Sequence, residues 1–547
     1  MIGPALETTR RALVVGCSLA LAWSLAPLSE ASAQQELRLE SLNEGVSFRG
    51  IAYSPERPEI AFVSNRSGAS RLWIIREDGS GPRRVVGDDG EESGPVWSPD
   101  GERLAFVRSG TEGTDIWVVG RDGSGLRRVT DDPGREHDLA WSPAGGRIAF
   151  LSGRDGHQDV HVADVESGDV TQLTTGTSPV DEYRWTPAWS PDGRHIAYVS
   201  NRSSKWQQDL WLVDTSTGES RRVTTDLDVM TSPVWSPDGQ HIAFNAVKHH
   251  EFWWGDQSDI YRVDTDDLSV HRLEMNTWVS DRNGSIGMAW SPDSDALFFR
   301  YQWEGDDNLW RVSEEGGVAT KVTYREGTFG NFSVSPDGSS VVYARETPTR
   351  GSELHRVDLE GGAPERLTSW SPRYRGLREP ERISFRARDG KHILGYLYRP
   401  PDFDPSGAHP ALVQVHGGGN NANANGFHVL EHVLASEGFV VLAIEYRGSA
   451  GHGRAFQELS LGDWAAGQGW DAVAAARWLE EQPWSNGRVG IYGGSYGGIM
   501  SMAAVTRTSE PFDAAAPMYG IYDWAEAYRH ADYLMRFWVI EGHLGFK

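Results

Sequence analysis

Trp97-Ser98-Pro99-Asp100-Gly101, followed at once by the apolar run Leu104-Ala105-Phe106-Val107, decides the architecture because the chain keeps returning to it. Its serine recurs at 54, 98, 142, 190, 236, 291 and 335, at intervals of 44 to 55 residues. The residue before it is Tyr53, Trp97, Trp141, Trp189, Trp235 or Trp290, and Val334 in the seventh copy. Pro-Asp-Gly turns a hairpin, since proline fixes φ and glycine accepts positive φ. Each turn leads into an apolar strand, of which Ile148-Ala149-Phe150-Leu151 and Ile196-Ala197-Tyr198-Val199 are examples. A strand like Asp115-Ile116-Trp117-Val118 comes next, and a polar one such as Arg127-Arg128-Val129-Thr130 closes the unit. Four short strands in a repeat of this length are the signature of a propeller blade. Apolar runs, in place of strict alternation, mean that both faces of each sheet are covered, as when sheets stack radially. The sequence therefore predicts a seven-bladed β-propeller over residues 38–372, with the repeated tryptophans packed between blades. An open β-solenoid is the alternative, but its repeats would be shorter and lack four distinct strands.

The 547 residues include 62 Gly and 27 Pro, in keeping with many tight turns. The hydrophobic set, at 39%, supplies ample core and argues against disorder. Lys and Arg number 52 against 77 Asp and Glu, and the net charge of −25 repels phosphate backbones and anionic lipid. Neither nucleic acid nor a membrane surface is expected as a partner. The one cysteine, Cys17, forms no internal disulfide and lies in a leader. Arg10 and Arg11 precede an apolar run from Ala12 to Leu28, and Ala31-Ser32-Ala33 gives a small-residue cleavage pattern. Residues 1–33 thus read as a signal peptide, and the mature protein is expected to be periplasmic or extracellular. Thr9-Arg10-Arg11-Ala12-Leu13 also fits a twin-arginine signal; a lipid-attachment box at Cys17 fits less well, and a retained anchor is the plain alternative. No later run approaches the ~20 apolar residues that span a bilayer.

After Trp370-Ser371-Pro372 the repeat stops and strands begin to alternate with helices. Ile383 to Arg388 and His392 to Arg399 read as a hairpin about Asp389-Gly390. Ala411 to Val415 is a buried strand ending in His416-Gly417-Gly418-Gly419, and Phe439 to Glu445 is another, ending in Tyr446-Arg447-Gly448-Ser449. Asp471 to Glu481 is helical and Arg488 to Tyr492 is again strand. Such alternation implies a mostly parallel sheet with helices on both faces. Gly493-Gly494-Ser495-Tyr496-Gly497-Gly498 sits between that strand and the helix Ile499 to Thr506. Gly-x-Ser-x-Gly in this setting is a nucleophile elbow, which exposes the Oγ of Ser495, and residues 376–547 are therefore expected to form an α/β-hydrolase domain. The backbone N–H of Tyr496 and one from Gly417 or Gly418 would form the oxyanion hole. His416 is read as shaping its turn, because it precedes the nucleophile while a hydrolase triad runs Ser, acid, His.

A seven-unit propeller followed by Val415-His416-Gly417-Gly418-Gly419, by Glu445 to Arg454 and by Gly493 to Gly498 resembles the prolyl-oligopeptidase family of serine peptidases. It looks nearest to the dipeptidyl-aminopeptidase and acylaminoacyl-peptidase branches, and the repeats also resemble TolB-type propellers. The resemblance implies a peptidase that admits only short peptides, because the propeller caps the active site. It implies a structural role for Arg447 and Gly448 beside the site. Two stretches break the repeat, Asp181-Glu182-Tyr183 and His249 to Asp259. Both read first as longer surface loops. The resemblance adds that Asp181 and Glu182 would hold a substrate's free α-amino group by charge-assisted hydrogen bonds. His249-His250-Glu251 lacks a third ligand, and neighbours on a strand point to opposite faces, so no metal or other cofactor is expected.

The triad's acid and base are missing from this reading. Phe512 to Tyr519 is the strand after the nucleophile helix, and 28 residues follow Tyr519. Two further βα units, at about 30 residues each, do not fit. Asp523 follows the wrong strand, while His530 and His543 fall in or just past a helix expected from Trp524 to Val539. The expectation is therefore a fragment whose triad acid and histidine are absent, and which is nearly inactive, since loss of the base costs about a million-fold in turnover. The competing readings are a TolB-like binding propeller with a hydrolase remnant, and an esterase.

Overall fold

The computed structural model describes residues 34–531, apart from 88–89, 111–112, 155, 177–182, 205–206, 249–257, 277–286, 325–326, 420, 461–462, 464 and 509–510. The repeats fold as seven antiparallel sheets, each built of strands consecutive in sequence. The first blade comprises Phe48–Tyr53, Glu59–Ser64, Arg71–Arg76 and Arg83–Arg84, and the seventh ends with Glu365–Arg366. In the fifth, the innermost strand is split into Leu227–Val229 and Val234–Trp235, both paired with His241–Lys248.

The repeated phrase does two jobs. Its tryptophan ends the innermost strand and donates Nε1–H to the preceding blade: Trp97 to Ala52 O, Trp141 to Val96 O, Trp189 to Ala140 O, Trp235 to Ala188 O and Trp290 to Val234 O, all at 3.0 or 3.1 Å. Its serine and aspartate fasten the turn. Ser98 Oγ donates to Asp100 Oδ1 at 2.5 Å and accepts from Arg103 N at 2.9 Å, with Gly101 at φ +66°. The ring closes by side chains instead of a shared strand. Trp370, just past the last blade, meets Phe48, Phe62 and Trp73 of the first at centroid distances of 5.4 to 5.7 Å.

The propeller begins later than the expected residue 38. Gln35 pairs with the linker, through Gln35 N to Arg373 O (2.7 Å) and Arg375 N to Gln35 O (2.9 Å), and Leu37 packs on Tyr374 and Val433. The segment before Phe48 is thus held by the second domain, whose apolar contacts it completes.

That domain has a six-stranded sheet in the order Glu381–Arg386, His392–Tyr398, Val440–Glu445, His409–Val415, Ser485–Gly494, Ala514–Met518. The first two pairings are antiparallel and the last three parallel. Val440–Glu445 is buried along its whole length, as a central strand covered on both faces should be. The helix Ala466–Glu480 packs Ala472, Ala475 and Ala476 against Val413, Leu442 and Ile491.

The two domains are joined at the C-terminal ends of the sheet strands. The turn between the middle strands of blade six, Glu304-Gly305, enters the hydrolase domain: Glu304 N donates to Gly451 O (2.8 Å), Asn425 N to Gly305 O (2.8 Å) and Tyr396 Oη to Glu304 O (3.1 Å). His432 Nε2 donates to Pro348 O of blade seven at 2.6 Å.

Candidate active site

Strand Ser485–Gly494 passes into helix Tyr496–Arg507 through Ser495, which has φ +55° and ψ −118°. Such a conformation costs a non-glycine residue about 1–3 kcal/mol and persists only where the surroundings impose it. They do so here by close backbone approach. A Cβ on Gly493 would lie 2.4 Å from Val415 O, one on Gly497 2.2 Å from the same oxygen, and one on Gly498 2.5 Å from Met518 O. Ser495 N donates to Met518 O at 3.0 Å, and Ser495 O accepts from Gly498 N and Ile499 N. The serine side chain is left exposed at the head of the helix.

Gly417 packs beside it, since a Cβ there would meet Gly494 O at 2.9 Å and Ser495 Cβ at 3.5 Å. Gly418 turns away at φ +66°. Tyr496 opens the helix, where the backbone dipole favours an anion. Ser495, Tyr496 and Gly417 are thus brought together, and Gly418 follows Gly417 in its turn. His416, just before, is buried and committed. Ser449 Oγ gives its hydrogen to Tyr446 O (2.7 Å), so His416 Nε2 is the donor in the 2.8 Å contact with Ser449 Oγ. Nδ1 lies 3.1 Å from Gly417 O and 3.0 Å from Tyr446 Oη, which itself donates to His416 O at 2.9 Å, and the ring stacks on Tyr446 at 4.1 Å. With both nitrogens so engaged the ring braces the turn and does not serve as a base.

Residues 426–544 match the prolyl oligopeptidase family, and residues 50–185 and 179–374 match the TolB beta propeller domain. The chain carries a TolB-type propeller joined to a domain of the prolyl oligopeptidase family. Among curated relatives it is 24% identical over 348 residues to dipeptidyl-peptidase 5 of Porphyromonas gingivalis, covering 61% of this chain and 50% of that protein. It is 29% identical over 262 residues to the uncharacterized peptidase YuxL of Bacillus subtilis, covering 46% and 39%. The chain thus spans half or less of the length of these relatives. Among solved structures it superposes on Pyrococcus horikoshii acylaminoacyl peptidase with a TM-score of 0.74 at 19% identity, covering 93% of this chain and 83% of the other. A Mycobacterium tuberculosis puromycin-hydrolyzing peptidase gives 0.74 at 19%, covering 92% and 82%. At such identities the superpositions establish the fold.

The family loop from Glu445 to Arg454 is anchored by Arg447. Its guanidinium holds buried Asp471 (Nε to Oδ2, 2.9 Å; Nη2 to Oδ1, 2.6 Å) and Asp389 (Nη1 to Oδ2, 2.9 Å). The Arg447 hydrogen bonds hold the Asp389 carboxyl well below the usual range, while burial pushes that of Asp471 up. Gly448 is required by space, for a Cβ would sit 2.4 Å from Ser460 Cβ. Tyr446 and Ser449 around His416, and Asp389 and Asp471 around Arg447, are site-supporting residues that the sequence did not single out; only three-dimensional proximity identifies them.

Among the described residues no histidine or carboxylate hydrogen-bonds the Ser495 hydroxyl. Asp523 caps helix Trp524–His530, accepting from Glu526 N at 2.9 Å. His530 is exposed and pairs with Glu526 of the same helix at 2.9 Å. Asp513 accepts from Val489 N at 2.9 Å. Asp181, Glu182, His249-His250-Glu251, Glu510, Asp532, Glu541 and His543 lie outside the described residues. Within the described residues, no group of three or more His, Cys, Asp or Glu is arranged to hold a metal ion.

Proposed function

We propose that this chain is the serine-peptidase body of an enzyme acting on short peptides, as an exopeptidase of the dipeptidyl or acylaminoacyl type. Ser495 Oγ attacks the scissile carbonyl, the oxyanion is met by the N–H of Tyr496 and one from Gly417–Gly418, the amine departs and water releases the acyl group. The base that receives the Ser495 proton is none of the described residues. The observation that carries the proposal is the positive-φ serine between two backbone-packed glycine turns, an arrangement whose use is to expose a nucleophile. The names of the relatives support a peptidase over an esterase. The propeller docks at the strand ends where Ser495 lies, which favours small substrates. Asp181 and Glu182 would hold a free α-amino group, and the leader at 1–33 would direct export.

Labelling by a fluorophosphonate tests the nucleophile: a signal lost in Ser495→Ala is expected, and equal labelling of that variant would refute it. Dipeptidyl and acyl-aminoacyl anilides, assayed with Asp181→Asn and Glu182→Gln, test the exopeptidase reading. Unchanged preference for free N-termini would remove the acidic pair, and turnover of simple esters alone would make the chain an esterase.

A further inference from the structure

The turns between the first and second strands of each blade, and between the third and fourth, lie on the propeller face away from the hydrolase domain, because the middle-strand turns of blades six and seven are the ones that touch it. On that far face neighbouring blades are bridged by arginines. Arg103 of blade two donates to Gly145 O and Glu166 of blade three, both at 3.0 Å, and lies over Trp141; Arg127 donates to Glu166 O at 2.9 Å. Arg147 of blade three lies over Trp189 of blade four, and Arg262 of blade five reaches Glu314 of blade six at 2.7 Å. Between blades four and five the bridge is absent. His195 stands at the register of Arg103 and Arg147, Arg221 at that of Arg127, and Asp266 at that of Glu166. Among the described residues none of these three side chains has a hydrogen bond or ion pair.

The unbridged gap is a groove of ≈ 930 Å³, at the upper end of the ≈ 300–1,000 Å³ common for ligand sites. Its apolar lining includes Trp235, Leu212 and Leu268, and its charge is acidic in balance, with five carboxylates against Arg194 and Arg221. Leu268 holds φ +60° at the turn position where blades three and four have Gly168 and Gly218. A leucine there costs strain and supplies an apolar side chain to the groove.

We propose that this groove binds an extended peptide segment in which lysine or arginine alternates with bulky apolar residues. The cationic side chains meet the carboxylates, Asp266 among them, the apolar ones pack on Trp235 and Leu268, and Arg221 takes a backbone carbonyl. Charge complementarity selects this occupant, since an acidic segment would face five carboxylates. The site is separate from Ser495 and does not depend on catalysis.

The test is calorimetric titration of the 547-residue chain with an acetylated, amidated hexapeptide alternating lysine and leucine, and with its glutamate-for-lysine counterpart. The lysine peptide should bind and the glutamate one should not. His195→Arg, which restores the bridging side chain of blades two and three, and Asp266→Lys should each weaken binding about tenfold or more, with the thermal midpoint unchanged. Asp266 is exposed, so Asp266→Lys decides the matter alone if His195→Arg fails to fold. No binding of the lysine peptide, equal binding of both peptides, or unaltered affinity in Asp266→Lys overturns the proposal.

Discussion

Ser495 keeps its left-handed backbone because the atoms around it leave no alternative, and this can be tested at its neighbours. Gly497→Ala places a methyl 2.2 Å from Val415 O and 3.0 Å from His416 O, both backbone atoms that cannot swing aside. The expected loss is about 3 kcal/mol or more, read as a lowered unfolding midpoint together with lost fluorophosphonate labelling. Tyr446→Phe is gentler. It removes the hydroxyl that lies 2.9 Å from His416 O and 3.0 Å from His416 Nδ1, leaving a buried acceptor unpaired. A cost of about 1–3 kcal/mol is expected, with labelling slowed because Gly417 shifts; full-rate labelling would show that the Gly417 turn holds without this brace. At this scale the sequence was legible wherever a residue's job is steric. The glycines of residues 493–498 and 417–419 announce close backbone approach. The partners of His416 were not legible, since Tyr446 and Ser449 belong to a different strand end and are joined to it only by the parallel pairing of the sheet.

Among the elements, the blade script could be read almost strand by strand, because a turn signal and an apolar run recur at a fixed spacing and each copy corroborates the rest. The turn Glu304-Gly305 looked like any other hairpin tip, yet it is the piece of the propeller that enters the hydrolase domain. Glu304 has φ +48° and Gly305 φ +84°, and a Cβ on Gly305 would fall 1.7 Å from Tyr396 Oη. Nothing in the local sequence distinguishes it, because what it meets is Tyr396 and the Asn423–Asn425 loop. Gly305→Ala should therefore break the clasp without unfolding blade six. Calorimetry is expected to show one transition in the parent and two in the variant, as the domains uncouple; a single transition in the variant would mean that the other seam contacts suffice. The late start of the propeller has a similar origin. Residues 35–43 carry no signal of their own, and their place follows from the linker and the helix Val429–Ser436 that they cover.

For the whole molecule, the seam between domains sets a pH dependence. His432, on the hydrolase helix, is buried against Tyr398 and Phe427 and donates to Pro348 O of the propeller. Burial pushes its imidazole down to about 4, with nearby His428 adding to the effect, from an ordinary value of 6.5. Below pH 6.5 the unfolded chain takes up a proton there that the folded chain refuses until near pH 4. The stability this histidine contributes is therefore complete above pH 6.5 and is lost as pH falls towards 4, at about 1.4 kcal/mol per pH unit and about 3 kcal/mol in all. His355 in blade seven is likewise pushed down to about 4 by burial, and it adds to the same limb from within the propeller. The two can be separated because only His432 bridges the domains. His432→Gln should flatten the acid limb of stability against pH by roughly one proton's worth of slope, whereas His355→Gln should do so without affecting domain coupling. If His432→Gln leaves the slope between pH 6.5 and 4 as it was, the seam histidine is already charged in the folded chain, and acid sensitivity must be sought inside the blades.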